Sequence, residues 1–188
     1  MGLPCVSVRG RKAPRAPRMI PEEIVRFLDH ASVGFAASRD AHLTPQVHFV
    51  LGWIVGDDRQ RVTCLFPKTN SNILIASLEN NGEFALTVLG STAGPKASRP
   101  PKPDVDFHEC YQLKGTYLSS RPADAEDRGR QETYRAALLA SCLEVGYPEA
   151  LSRPLTQGFA HAPAVAITFR AEEVYQQTPG PDAGTRLA

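Results

Sequence analysis

The run Cys64-Leu-Phe-Pro-Lys-Thr-Asn-Ser-Asn72 places one cation and a cluster of hydroxyl and amide side chains directly after an apolar β-type segment. The spacing predicts a helix opening near Asn72, with Lys68, Thr69, Asn70 and Ser71 as the loop that enters it. A helix N-terminus presents backbone N–H groups and the positive end of its dipole, so such a loop can hold a phosphate. The same residue types also suit an ordinary capped helix entrance, because Thr, Asn and Ser all favour that place.

Other chemistry-bearing residues are fewer. On the run His108 to Leu118, strict alternation puts Tyr111 and Leu113 on one face and Cys110, Gln112 and Lys114 on the other. His108 and Cys110 share a face, yet with no third ligand or supporting acid at useful spacing they read as a core or surface pair, and no metal is expected. No Gly-x-Ser-x-Gly elbow is present, which argues against a serine hydrolase of that kind. Cys5, Cys64, Cys110 and Cys142 are far apart and form no Cys-x-x-Cys pair, so they read as reduced thiols.

The elements that position these residues follow from periodicity. Pro21 to His30 predicts a short amphipathic helix with two acids in its first turn. Ser32 to Ser38 and Leu43 to Val55 predict a hairpin, and Arg61 to Phe66 a third strand ended by Pro67. After the helix from Asn72, Asn80-Asn81-Gly82 is a left-handed stop. Glu83 to Leu89 is a fourth strand and His108 to Leu118 a fifth, in which Gly115 marks a bulge or a close backbone approach. A helix spans 122–145, with Tyr134, Leu138, Cys142 and Val145 in one stripe, followed by a short helical turn from Pro148 to Arg153. Ala164 to Tyr175 is the sixth strand, and Thr178 to Gly184 closes the chain as an irregular tail.

Six β segments joined mainly by short turns argue for a β-rich α+β fold, a six-stranded antiparallel barrel with flanking helices, over a doubly wound sheet. With 188 residues, 42% of them apolar, the chain is expected to form a single domain over 19–188, interrupted by a proline-rich loop at 90–106. Residues 1–18 carry Arg9, Arg11, Lys12, Arg15 and Arg18 and no acid, against sixteen cations and twenty acids in the remainder. With three prolines and no aromatic residue, that stretch reads as a disordered arm more than as a nucleic-acid surface. No signal-type or membrane-spanning apolar run and no myristoylation pattern is visible, so a cytoplasmic location is expected, with no membrane partner.

Thr44-Pro-Gln-Val-His48, Phe66-Pro-Lys-Thr-Asn-Ser71, Asn81-Gly-Glu-Phe-Ala-Leu86 and Tyr111-Gln-Leu-Lys-Gly115, in this element order, resemble the flavin mononucleotide-binding split-barrel proteins of the pyridoxamine 5′-phosphate oxidase type. The resemblance covers residues 20–188. It implies a homodimer with FMN between subunits, the phosphate held by Thr44, Gln46 and His48 on the second strand and by Lys68, Thr69, Asn70, Ser71 and Asn72. Gln112 and Lys114 are then expected across the dimer from the flavin. It implies an FMN-dependent oxidoreductase acting on a small molecule, with no catalytic side chain that the sequence names.

The chain departs from that pattern at two places. His48 stands where the family has an arginine, and Ser71-Asn72-Ile73 stands where it has Ser-Arg-Lys. Pyridoxamine phosphate oxidation itself is therefore not expected, since basic residues for a second phosphate are sparse. A deazaflavin-dependent reductase, and a non-catalytic flavin- or haem-binding barrel with His48 or His108 as axial ligand, are the alternatives the same residues leave open.

Overall fold

Alternation of buried and exposed side chains writes the sheet. In the fourth predicted strand Phe84, Leu86 and Val88 are buried while Glu83, Ala85, Thr87 and Leu89 face outward, the period of two that a strand with one covered face requires. The computed structural model describes residues 19–29, 31, 33–90, 109–144, 146–157 and 164–188. The elements run α1 (Glu22–Leu28), β1 (Val33–Arg39), β2 (Pro45–Phe49), β3 (Trp53–Val55), β4 (Arg61–Pro67), α2 (Lys68–Asn81), β5 (Glu83–Leu89), β6 (Cys110–Pro122), α3 (Ala125–Glu144), α4 (Glu149–Gln157) and β7 (Ala164–Gln176). The expected arm at 1–18, most of the proline-rich loop at 90–106, and His108 lie outside the described residues.

All strand pairs are antiparallel, in the order β2-β1-β5-β6-β7-β4-β3. The two edge strands are consecutive in sequence, and the link between them closes the sheet. Val50 N–H donates to Gly34 O at 2.9 Å, then Leu51 N–H donates to Leu65 O at 2.7 Å and Leu65 N–H to Gly52 O at 2.8 Å. The chain thus passes from β1 to β4 at Gly52, whose φ of 144° is a conformation that glycine adopts at little cost. Corners of this kind let one strand serve two parts of a sheet. The single strand expected over Leu43 to Val55 is therefore two, and the barrel has seven strands among the described residues, not six.

The interior is aliphatic and aromatic. Phe84 and Phe169 stack with ring centroids 4.4 Å apart, and Phe66, Leu86, Leu113 and Ile167 are fully buried. Burial also drives the Cys64 thiol far above its ordinary range, which leaves it un-ionised and inert. Trp53 is a core residue: its Nε1 donates to Leu28 O at 2.9 Å and its ring fills the space that a Cβ on Gly34 would occupy.

Three boundaries differ from expectation. Helix α2 starts at Lys68, not near Asn72, because Pro67 ends β4 and serves as the N-cap itself, with φ −64° and ψ 144°. It ends as expected at Gly82, which is left-handed at φ 71° and donates to Leu78 O. The turn expected from Pro148 to Arg153 is a helix that continues to Gln157 through Pro154. The tail expected to be irregular turns back on β7, with Gln176 N–H donating to Thr185 O at 2.9 Å and Leu187 N–H to Val174 O at 2.7 Å.

Helix α3 is entered through a reciprocal cap. Asp124 N–H donates to Asp127 Oδ2 at 2.9 Å and Asp127 N–H to Asp124 Oδ1 at 3.0 Å, while Arg121 pairs with the buried Asp127 at 2.5 Å. This is a capping box built from two aspartates. No helix among the described residues is long and apolar enough to cross a membrane.

Candidate cofactor site

Helix α2 is tied to strands β2 and β1 by one polar contact each. Ser77 Oγ donates to Gln46 Oε1 at 3.2 Å, and Asn81 Nδ2 donates to Arg39 O and, at 2.7 Å, to Ser77 O. Since Arg39 pairs with Pro45 at the start of β2, the C-terminal half of α2 lies at that end. The N-terminal end lies at the other, because Leu65, three residues before Lys68, is hydrogen-bonded to the β2–β3 link. The helix therefore runs antiparallel to β2. His48 sits about 7 Å beyond Gln46 on the same strand face, and Ser71 about 9 Å before Ser77 on the helix.

His48 thus lies on the strand face that Gln46 turns to α2, displaced from Gln46 away from the end where α2 terminates. His48 pairs with Ala36, which is fully buried, and its own ring is half-buried with Nε2 enclosed. That nitrogen has no hydrogen-bond partner among the described residues, and burial holds the imidazole pKa below its ordinary value.

The start of α2 is electrostatically distinct. Its first turn contains no carboxylate and its N-cap supplies no side-chain hydrogen bond, whereas α1, α3 and α4 carry Glu22 and Glu23, Glu126 and Asp127, and Glu149 there. The leading amides of a helix have no intrahelical partner and attract anions. Lys68 is exposed and takes part in no ion pair among the described residues. The buried Ser71 donates its hydroxyl proton to Lys68 O at 3.0 Å, so in this rotamer it offers lone pairs, not a donor. Thr69 and Asn70 belong to the first turn of α2, and Asn72 is exposed on its second.

The remaining expected site residues lie elsewhere. Thr44 is at the opposite end of β2, in a turn where Asp40 Oδ1 accepts its amide at 2.9 Å and that of His42 at 2.8 Å. Those amides hold the Asp40 carboxyl below its ordinary range. Gln112 and Lys114 face outward from β6, as the alternation predicted: Gln112 Nε2 donates to Thr87 Oγ1 at 3.1 Å, and Lys114 Nζ lies 4.7 Å from the Tyr175 ring centre. Within one chain they are separated from the α2 end by the sheet. Cys110 shares their outward face, half-buried, its thiol pushed up by burial.

Sequence reasoning missed the outward face as a whole. Pairing aligns Phe49, Phe35, Thr87, Gln112 and Tyr175 in one row across five strands, and Val47, Ala37, Ala85, Lys114 and Glu173 in the next. Phe35 and Val47 are 38% and 66% exposed, and Phe35 meets Phe49 edge-on at 5.5 Å. Each strand showed its alternation, but only the register reveals that these residues adjoin.

His48 makes stability depend on pH. Its pKa in the folded chain is lowered, so the unfolded chain binds more protons below the ordinary value of 6.5. The stability contributed by the neutral ring is present above 6.5 and is lost as pH falls below it. Urea denaturation at pH 7.5 and 5.5 is expected to give a lower midpoint at 5.5, and His48→Gln to shrink that difference.

No family model matches the chain, and none of the curated proteins matches it. Solved structures do. The chain is similar to the Group A Streptococcus protein HupZ, at 17% identity over 88% of this chain and 100% of that one, with a TM-score of 0.46. It is also similar to a candidate pyridoxamine 5′-phosphate oxidase from Lactobacillus delbrueckii, at 16% identity over 84% and 93%, TM-score 0.42. A third is HutZ, the haem storage protein of Vibrio cholerae, at 11% identity over 86% and 97%, TM-score 0.41. The assignment to the split-barrel architecture rests on the strand order and closure above. At such identities and scores these likenesses add no argument about chemistry.

Proposed function

We propose that this split barrel binds FMN as a homodimer and serves as an oxidoreductase for a small molecule. What supports the reading is the uncapped, acid-free start of α2, which carries Lys68, together with the Nε2 of His48, which has no hydrogen-bond partner among the described residues. A phosphate dianion supplies what each of these lacks: acceptors for the leading amides, a counter-charge for the ammonium, and a hydrogen-bond partner for the imidazole. Gln46 is committed to Ser77 and steadies the strand against the helix.

When bound, FMN supplies hydride or one-electron chemistry. The chain's residues anchor its phosphate and shape the surroundings of its ring. In this reading a second copy brings its Gln112 and Lys114 to the ring edge. Basic residues for a second phosphate are sparse, which argues against pyridoxamine phosphate as the substrate.

The enclosed Nε2 of His48, without a hydrogen-bond partner among the described residues, is equally the atom an axial haem ligand would need, and the single lysine at α2 also suits a weaker phosphate contact of the kind a deazaflavin would make. The pigment separates these readings. Protein purified without added cofactor, then denatured, is expected to release FMN, or to turn yellow with saturable uptake when incubated with it. A colourless protein that takes up no FMN, or a haem spectrum with His48-dependent absorbance, would overturn the proposal.

A further inference from the structure

On the outward face, away from the start of α2, β1, β5, β6 and β7 form an open groove of about 510 Å³, within the range of small-molecule sites. Its floor is Ala37 and Ala85, paired across β1 and β5. One wall is Arg39 and Glu83, in an ion pair at 2.9 Å, and the other is Lys114 with Thr116. The groove exists because two alanines stand in register where larger residues would fill the sheet surface.

Among the described residues, the charges around it leave one cation over. Glu83 is held by Arg39. Glu172 accepts from the Thr116 hydroxyl at 2.9 Å and pairs with Arg170 at 3.3 Å. Glu173 pairs with Arg186 at 2.9 Å and accepts from the Tyr175 hydroxyl at 2.8 Å. Among the described residues the cluster thus has four cations, Arg39, Lys114, Arg170 and Arg186, against three carboxylates. Lys114 has no carboxylate within ion-pair distance among the described residues; its ammonium rests on the face of Tyr175.

We propose that this groove binds a small planar organic monocarboxylate, its carboxylate on the Lys114 ammonium and its flat apolar body on Ala37 and Ala85. The methyl groups of a cross-strand alanine pair lie about 5 Å apart and make a shallow, flat seat that a ring covers and a branched body does not. Arg39 and Glu83 satisfy each other and close the end of the groove. That such an acid is the substrate rests on the flavin reading above; that it binds does not.

The test is titration of cofactor-free protein with benzoate, followed by amide chemical shifts, with benzamide as the uncharged isostere. Benzoate is expected to bind saturably with a Kd on the order of 1 mM, shifting amides of Ala37, Ala85, Lys114 and Thr116. Benzamide and the Lys114→Gln variant are each expected to show binding weakened by about ten-fold or more. Ala85→Leu, which keeps the cation and fills the seat, is expected to abolish it. No saturable benzoate binding, equal binding of benzamide, or undiminished binding in either variant would overturn the inference. Benzoate binding in a protein that takes no FMN leaves this site standing and removes the flavin reading instead.

Discussion

Gly115→Val is expected to unfold the barrel or lower its stability by about 3 kcal/mol or more. Strand β6 crosses β7 here so closely that a Cβ on Gly115 would lie 1.8 Å from Arg170 O and 2.8 Å from its carbonyl carbon. Both are backbone atoms of a paired strand, so no side-chain rotation relieves the clash. The register shifts between Lys114 and Gly115, and Glu172, carried at that bulge, accepts from Thr116; widening the gap breaks the ladder on both sides. For a chain of this size the loss corresponds to a fall in Tm of about 6–12 °C. Gly115→Ala is expected to be nearly as damaging. Gly129→Ala on α3, where an added Cβ meets nothing within 4 Å, is expected to leave Tm unchanged or raise it, by up to about 1 kcal/mol of helix propensity. Thermal denaturation of the three variants checks both statements.

Lys68→Glu is expected to reduce FMN affinity by two orders of magnitude or more while leaving the fold intact. A charge-assisted hydrogen bond contributes about 1.5–3 kcal/mol, and the substitution replaces it with repulsion of the phosphate. The side chain is exposed and has no ion pair among the described residues to lose. An acid in the first turn of α2 complements the helix dipole, so thermal stability is expected to stay level or rise by about 0.3–1 kcal/mol. Loss of binding together with preserved stability separates a cofactor contact from a structural one. Unchanged affinity would show that the phosphate is held elsewhere.

What the sequence made legible was what local chemistry decides. Gly115 interrupts an alternating run, from which a bulge or a close approach could be read, and both occur there; Asn80-Asn81-Gly82 ends α2 where such a triplet ends helices. The break between β2 and β3 was hidden because Val50, Leu51 and Trp53 continue the apolar pattern through Gly52, and only the switch of partners from Gly34 to Leu65 divides the strand. The start of α2 was misplaced for a related reason. Thr69, Asn70 and Ser71 have the composition of a capping loop, yet the helix forms through them and the Ser71 hydroxyl turns back to Lys68 O. Moving the helix start to Lys68 puts the lysine in the first turn itself, among the free amides. The groove could not have been read at all, since Ala37 and Ala85 are 48 residues apart and unremarkable until the register pairs them.

The central claim is that the start of α2, Lys68 and His48 recognise a phosphate. The most direct measurement compares FMN with riboflavin, which differ by that group alone, through quenching of flavin fluorescence on titration into cofactor-free protein. The account predicts that FMN binds one to two orders of magnitude more tightly than riboflavin, and that Lys68→Ala narrows the gap by weakening FMN while leaving riboflavin unchanged. Equal affinities for the two flavins, or a gap that Lys68→Ala does not narrow, would contradict it.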